Sequence, residues 1–191
     1  LEPRKRELRA FFDPQDFEDK ARLSRLQPYD PRKIPVLFVH GLTNSPVTWV
    51  PTIAYLRGNP AIRRNYQFWF FAYPSGLPYP LSAAELRRQL AIIRTQHPGQ
   101  KDAVVVGHSM GGMISRLLIT GTGTKLWDAF FEVPPEKIPL SPEARKTLVD
   151  SLVFEPAPKI SRVIFAAASH RGSGKAVDFW VCCDSDLERL R

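Results

Sequence analysis

Cysteine is almost absent from this chain: among 191 residues only Cys182 and Cys183 carry thiols, and they are neighbours. Adjacent cysteines rarely bridge each other because the ring they would close is strained, and two thiols alone do not make a metal centre. A bridge between them and a cysteine metal site are thereby set aside. Long apolar runs are missing too, since no stretch approaches the roughly eighteen residues that a membrane-spanning helix requires. The first residues, Leu1-Glu2-Pro3-Arg4-Lys5-Arg6, have neither an initiator methionine nor the apolar core of a secretion signal. The expectation is a fragment of a longer protein, with the compartment left open. Acidic residues are outnumbered, 19 against 27 Lys and Arg, for a net charge of +8. The basic residues are scattered apart from Arg4, Lys5, Arg6 and Arg9. That excess suits an anionic surface and an ordinary solvated one equally, and with no nucleic-acid module visible no nucleic-acid partner is expected. What the chain does have is 43% apolar residues and a length suited to one domain with a core.

The most informative stretch is Ala103-Val104-Val105-Val106-Gly107-His108-Ser109-Met110-Gly111-Gly112-Met113. An apolar strand runs into a serine flanked by glycines and then into an apolar helix carried by Met113, Ile114, Leu117 and Leu118. G-x-S-x-G in this context is a nucleophile elbow, a turn so tight that the serine backbone is strained and its Oγ stands clear of the sheet. Gly107 and Gly111 let the strand and helix approach without Cβ clashes. The helix that starts near Met110 turns its free N–H groups toward the space above Ser109, where an oxyanion would form. The plainer reading, a serine in a structural turn, loses ground to the strand and helix on either side.

Earlier in the chain, residues 1–33 read as a charged approach segment with weak helical periodicity around Phe17 to Leu26. Val36-Leu37-Phe38-Val39 is a buried strand of the parallel kind, ending in His40-Gly41-Leu42. At the carboxyl end of such a strand, this loop can turn the Leu42 N–H toward the cavity that the Met110 N–H faces; a plain strand-to-helix loop is the alternative. Ser45-Pro46 opens a helix through Trp49, Ile53 and Leu56 that Gly58-Asn59-Pro60 closes. Gln67 to Tyr73 is an aromatic central strand, followed by a Pro-rich loop to Pro80. Ser82-Ala83-Ala84-Glu85 has capping-box spacing for the next helix, which Leu86, Leu90 and Ile93 line on one face and Pro98-Gly99 stops.

Strand and helix alternate three times up to and through the elbow, which calls for a mostly parallel sheet covered by helices on both faces. After Gly121-Thr122-Gly123 the rhythm breaks. Residues 124–159, with Trp127, Phe130, Phe131 and a helix opened by Ser141-Pro142-Glu143, read either as a lid-type insertion over the catalytic face or as a helix that covers the sheet. Arg162 to Ala167 resumes the sheet and ends at Ser169-His170-Arg171-Gly172-Ser173.

With these pieces in order, the chain resembles the α/β-hydrolase superfamily, and within it bacterial lipase- or esterase-like members. In these a strand ends in His-Gly-Leu, an aromatic strand leads to Tyr-Pro-x-Gly, and Gly-His-Ser-Met-Gly-Gly follows. The likeness covers residues 34–174, a partial domain between the approach segment and an atypical tail, 175–191. It implies a three-layer sandwich, Ser109 as the acyl-forming nucleophile, and the N–H groups of Leu42 and Met110 as oxyanion donors. It also implies a Ser, then Asp or Glu, then His order of triad residues on later loops. Past His170 no further strand pattern is visible, so the sandwich is expected to be incomplete, with a truncated or frameshifted end as one explanation. His170 is the single histidine after Ser109 and the candidate base; Asp128, Asp150 and Asp178 have no positional support as its acid.

Two functions follow as expectations. One is a serine hydrolase of carboxylic esters, small-molecule or lipid, acting through an acyl-enzyme, which implies no metal or organic cofactor; this chain is then an incomplete catalytic domain, nearly inactive alone if it lacks the catalytic acid and histidine. The other is a non-catalytic binding module that keeps the fold and the pocket under the insertion. An open sheet edge would leave the chain marginally stable or self-associating.

Overall fold

A computed structural model describes residues 21–170. Five strands form one sheet: β1 (Arg22–Arg25), β2 (Ile34–Val39), β3 (Tyr66–Ala72), β4 (Ala103–His108) and β5 (Ile160–Ala166), in the order β1-β3-β2-β4-β5. β1 runs antiparallel to β3 and every other pairing is parallel. Six helices connect them: α1 (Val50–Gly58), led in by a 3-10 turn at Pro46–Trp49, α2 (Pro60–Asn65), α3 (Tyr79–Gln96), α4 (Met110–Arg116), α5 (Lys125–Asp128) and α6 (Pro142–Leu152).

The three layers follow from side-chain alternation along the central strands. Leu37, Val39, Trp69, Phe71 and Val105 point to one face, where Leu81, Ala83 and Leu86 of α3 and Ile114 of α4 cover them. Val36, Phe38 and Phe68 point to the other, under Trp49 and Ile53. Burial on both faces is why these strands are continuous apolar runs. The segment after α4 builds a small core of its own from Trp127, Ile138, Leu148 and Leu152. It is tied to the main body by Arg87 of α3, whose guanidinium donates to the carbonyls of Leu117 (3.2 Å) and Asp150 (2.7 Å) and lies 3.5 Å from the centre of the Phe154 ring.

Several local expectations are corrected. The weak helical pattern expected up to Leu26 gives way at Arg22–Arg25 to a strand on the β3 edge, with Arg22 opposite Ala72 and Arg25 opposite Trp69; the pairing offered by β3 outweighs a weak periodicity. Residues 1–20 and 171–191, which include most of the approach segment and the whole tail, lie outside the described residues. Ser45 makes no side-chain cap bond, and the helix after it begins as the 3-10 turn. Asn59 does end α1, but its Oδ1 accepts the Ala61 N–H at 2.8 Å and so starts α2, a helix the sequence reading missed. Nor is Ser82 a cap: α3 begins at Tyr79 with Pro80 in its first turn, where proline's missing N–H costs nothing. Ser82 is instead fully buried, and Glu85 accepts from Arg88 at 2.7 Å and from Gln89. Ser141 caps α6 as expected, accepting the Ala144 N–H at 3.2 Å.

Candidate active site

Two strand ends converge at the carboxyl edge of the sheet. β2 and β4 are neighbours, Val39 pairing with Gly107, so the loops that leave them emerge side by side. At the end of β4 the chain turns directly into α4 through Ser109, which has φ 51° and ψ −121°. A non-glycine residue is rarely found there, and holding one costs on the order of 1–3 kcal/mol. The turn is pinned from two directions: the Ser109 N–H donates to the Ala166 carbonyl at 2.9 Å, and the Ser109 carbonyl accepts from the Gly112 N–H at 2.9 Å. It also needs room. A Cβ on Gly111 would run into the carbonyl oxygens of Val39 and His40, and one on Gly107 into the Gly111 carbonyl and Ser115 Oγ. Among the described residues the Ser109 hydroxyl makes no hydrogen bond.

The β2 loop packs directly on this turn. A Cβ on Gly41 would stand 3.0 Å from both Ser109 Cβ and His108 Nδ1. His40, 1% exposed, stacks on Tyr73 with ring centres 4.2 Å apart. Its Nδ1 lies 2.9 Å from the Gly41 carbonyl and its Nε2 is 3.5 Å from the Tyr73 N–H. That pairing fits a neutral ring with its proton on Nδ1. Burial pushes the His40 pKa down, and the Gly41 carbonyl offsets this only in part. The Tyr73 hydroxyl donates to the His40 carbonyl at 2.6 Å, and burial raises its pKa. Further along, Thr43 has φ 57° and donates its N–H to Ser75 Oγ at 2.9 Å. The Leu42 N–H between them makes no hydrogen bond among the described residues, and the Met110 N–H, first in its helix, has no intrahelical acceptor.

Ser109 and Met110 thus share one turn, and Gly41 sets the loop of Leu42 against it. His170 stands apart. It follows β5 in the loop whose Ala168 faces Gly112 closely enough that a Cβ on that glycine would strike it, but its ring is exposed and lies edge-on to Phe165 at 4.5 Å. No hydrogen bond joins it to Ser109. His97, at the far end of α3, stacks on Tyr29. His108 faces Trp49 edge-on, and its Nδ1 is buried without a partner among the described residues. Asp128 sits on α5 and Asp150 pairs with Lys146 on α6; Asp178 lies outside the described residues. Sequence reasoning gave no role to Tyr73 and Ser75, although both belong to the Tyr-Pro-x-Gly stretch it singled out. No helix among the described residues is long and apolar enough to cross a membrane.

The model of the alpha/beta hydrolase family matches residues 36–187. No curated protein matches the chain. Among solved structures, the lipase BlEst2 of Bacillus licheniformis in its propeptide form is 18% identical, over 90% of this chain and 33% of its own, with a TM-score of 0.47. Esterase 2 of Thermogutta terrifontis, phosphoramylated by tabun, is 15% identical over 78% of this chain and 50% of its own, with a TM-score of 0.45. An acetylxylan esterase is 20% identical over 72% of this chain and 63% of its own, with a TM-score of 0.43. The chain therefore spans a third of the first of these proteins and half of the second.

Proposed function

The chain belongs to the alpha/beta hydrolase family, and from that premise we propose that it hydrolyses carboxylic esters, small-molecule or lipid, through an acyl-enzyme on Ser109. The observation that carries the reading is the Ser109 backbone, held at φ 51° and ψ −121° between a strand and a helix. A serine with only a structural role has no use for that conformation. In this reading Ser109 Oγ attacks the ester carbonyl and gives its proton to a base. The carbonyl oxygen, now negative, is received by the N–H groups of Leu42 and Met110. Collapse expels the alcohol, which takes the proton, and water then releases the acid and frees the serine. The base assigned here is His170. Support comes from the end of β5 and the loop that leaves it, since Ala166 accepts the Ser109 N–H and Ala168 packs on Gly112.

The test is covalent labelling by a fluorophosphonate serine-hydrolase probe. Labelling of the chain that disappears in Ser109→Ala supports an activated serine. Labelling that survives in Ser109→Ala, or a folded chain that takes no label, overturns the reading. His170→Ala decides the base: it abolishes labelling if His170 accepts the proton and leaves it unchanged if it does not.

A further inference from the structure

We propose that Ser75 is a positioning residue that sets the oxyanion loop, an inference that rests on the reading of Leu42 as an oxyanion donor. An N–H stabilises a developing negative charge only if it is already aimed when the charge appears, so whatever fixes the Leu42 peptide contributes to the rate. Within the loop from His40 to Asn44, the Gly41 carbonyl, in the same peptide as the Leu42 N–H, accepts from His40 Nδ1 at 2.9 Å and from the Asn44 N–H at 3.3 Å, but the peptide that follows Leu42 has no partner inside the loop. Thr43, at φ 57°, occupies the left-handed region, which is unfavourable for a β-branched residue.

Further restraint comes from the loop after β3, which grips the segment on both sides of Leu42. On one side Tyr73 stacks on His40 and its hydroxyl donates to the His40 carbonyl at 2.6 Å. On the other, Ser75 Oγ accepts the N–H of strained Thr43 at 2.9 Å. The Thr43 N–H is the next peptide group after that of Leu42, so this bond fixes the peptide plane that follows the oxyanion donor and opposes relaxation of Thr43 to a negative φ. Tyr73 is buried and serves the core as well. Ser75 lies at the surface end of the grip, where the acceptor can be removed with little loss of packing.

The experiment compares the unsubstituted chain with Ser75→Ala and Ser75→Thr. It measures the maximal rate of fluorophosphonate labelling, the half-saturating probe concentration, the melting temperature and the exchange of the Thr43 amide. The expected result for Ser75→Ala is a maximal rate about tenfold lower, an unchanged half-saturating concentration and melting temperature, and faster Thr43 exchange. Ser75→Thr, which restores an acceptor, returns the rate and the protection. A Ser75→Ala chain that labels at the original rate overturns the inference while leaving Ser109 as nucleophile. A lower rate accompanied by an equally lower melting temperature, or one that Ser75→Thr does not restore, overturns it in favour of a merely structural role. Absence of labelling in the unsubstituted chain overturns the reading of the site, and the role of Ser75 with it.

Discussion

Gly41 and Ser109 are packed so closely that a methyl group on the glycine would stand 3.0 Å from the serine Cβ. They lie on different loops, yet β2 and β4 are paired in the sheet and deliver both to the same place. This contact sets the separation between the Leu42 loop and the serine hydroxyl.

Gly41→Ala is accordingly expected to displace the loop by a few tenths of an ångström, because Ser109 Cβ belongs to a turn that cannot move while the His108 ring can. The maximal rate of labelling at Ser109 should fall about tenfold to a hundredfold, with only a small loss of stability. Labelling kinetics beside a thermal melt check this, and an unaltered rate would show that the contact does not govern the site.

Ser109 sits in a strained backbone conformation. Replacing it with glycine, which tolerates φ 51°, should relieve strain that alanine retains. Ser109→Gly is therefore expected to be more stable than Ser109→Ala by about 1 kcal/mol, or roughly 2–4 °C in melting temperature, after allowance for the greater freedom of glycine in the unfolded chain. Both variants should lose the label. Equal melting temperatures would argue against stored strain.

The His40 ring is neutral in the fold because burial holds its pKa below the ordinary 6.5. The unfolded chain therefore binds a proton there more readily than the folded one, so this part of the stability is complete above 6.5 and is lost as the pH falls from there toward the lower folded-state value. Urea midpoints at about pH 7.5 and about pH 5.5 should differ, and His40→Gln should shrink the difference. A variant with the full pH dependence would assign it to other groups.

Among the described residues β5 pairs only with β4, and its Ile164 is 48% exposed. β1, at the opposite edge, is four residues long with arginine at each end, which discourages further pairing. β5 is longer, seven residues, and among the described residues its other edge is unpaired. The chain is expected to self-associate through this edge, and Ile164→Lys to shift it toward monomer, as read by light scattering after gel filtration. A monodisperse monomer before substitution would refute the expectation.

Much of the fold was legible in local pattern. Val36 to Val39, Gln67 to Tyr73, Ala103 to Val106 and Arg162 to Ala167 announced four strands by their largely apolar runs, which burial of β2 and β3 on both faces demands, and the observed strands overlap all four. β1 was not legible: Arg22-Leu23-Ser24-Arg25 carries no strand signal and became a strand because β3 offered an edge. The start of α3 was misread for a related reason, since burial of Ser82 and the pairing of Glu85 with Arg88 and Gln89 depend on neighbours that capping-box spacing does not reveal.

The site divides in the same way. The tight turn at Ser109 was legible locally, because glycines at 107 and 111 and the apolar segments around them are requirements that the chain states in consecutive residues. Local pattern also marked the Leu42 loop as its companion. Packing across the sheet, and not local pattern, is what sets Gly41 against Ser109, makes Tyr73 and Ser75 grip the loop from a third strand end, and rests His170 against Phe165. Those are contacts between segments far apart in the chain, and their geometry is set by strand order and register, which no single segment encodes.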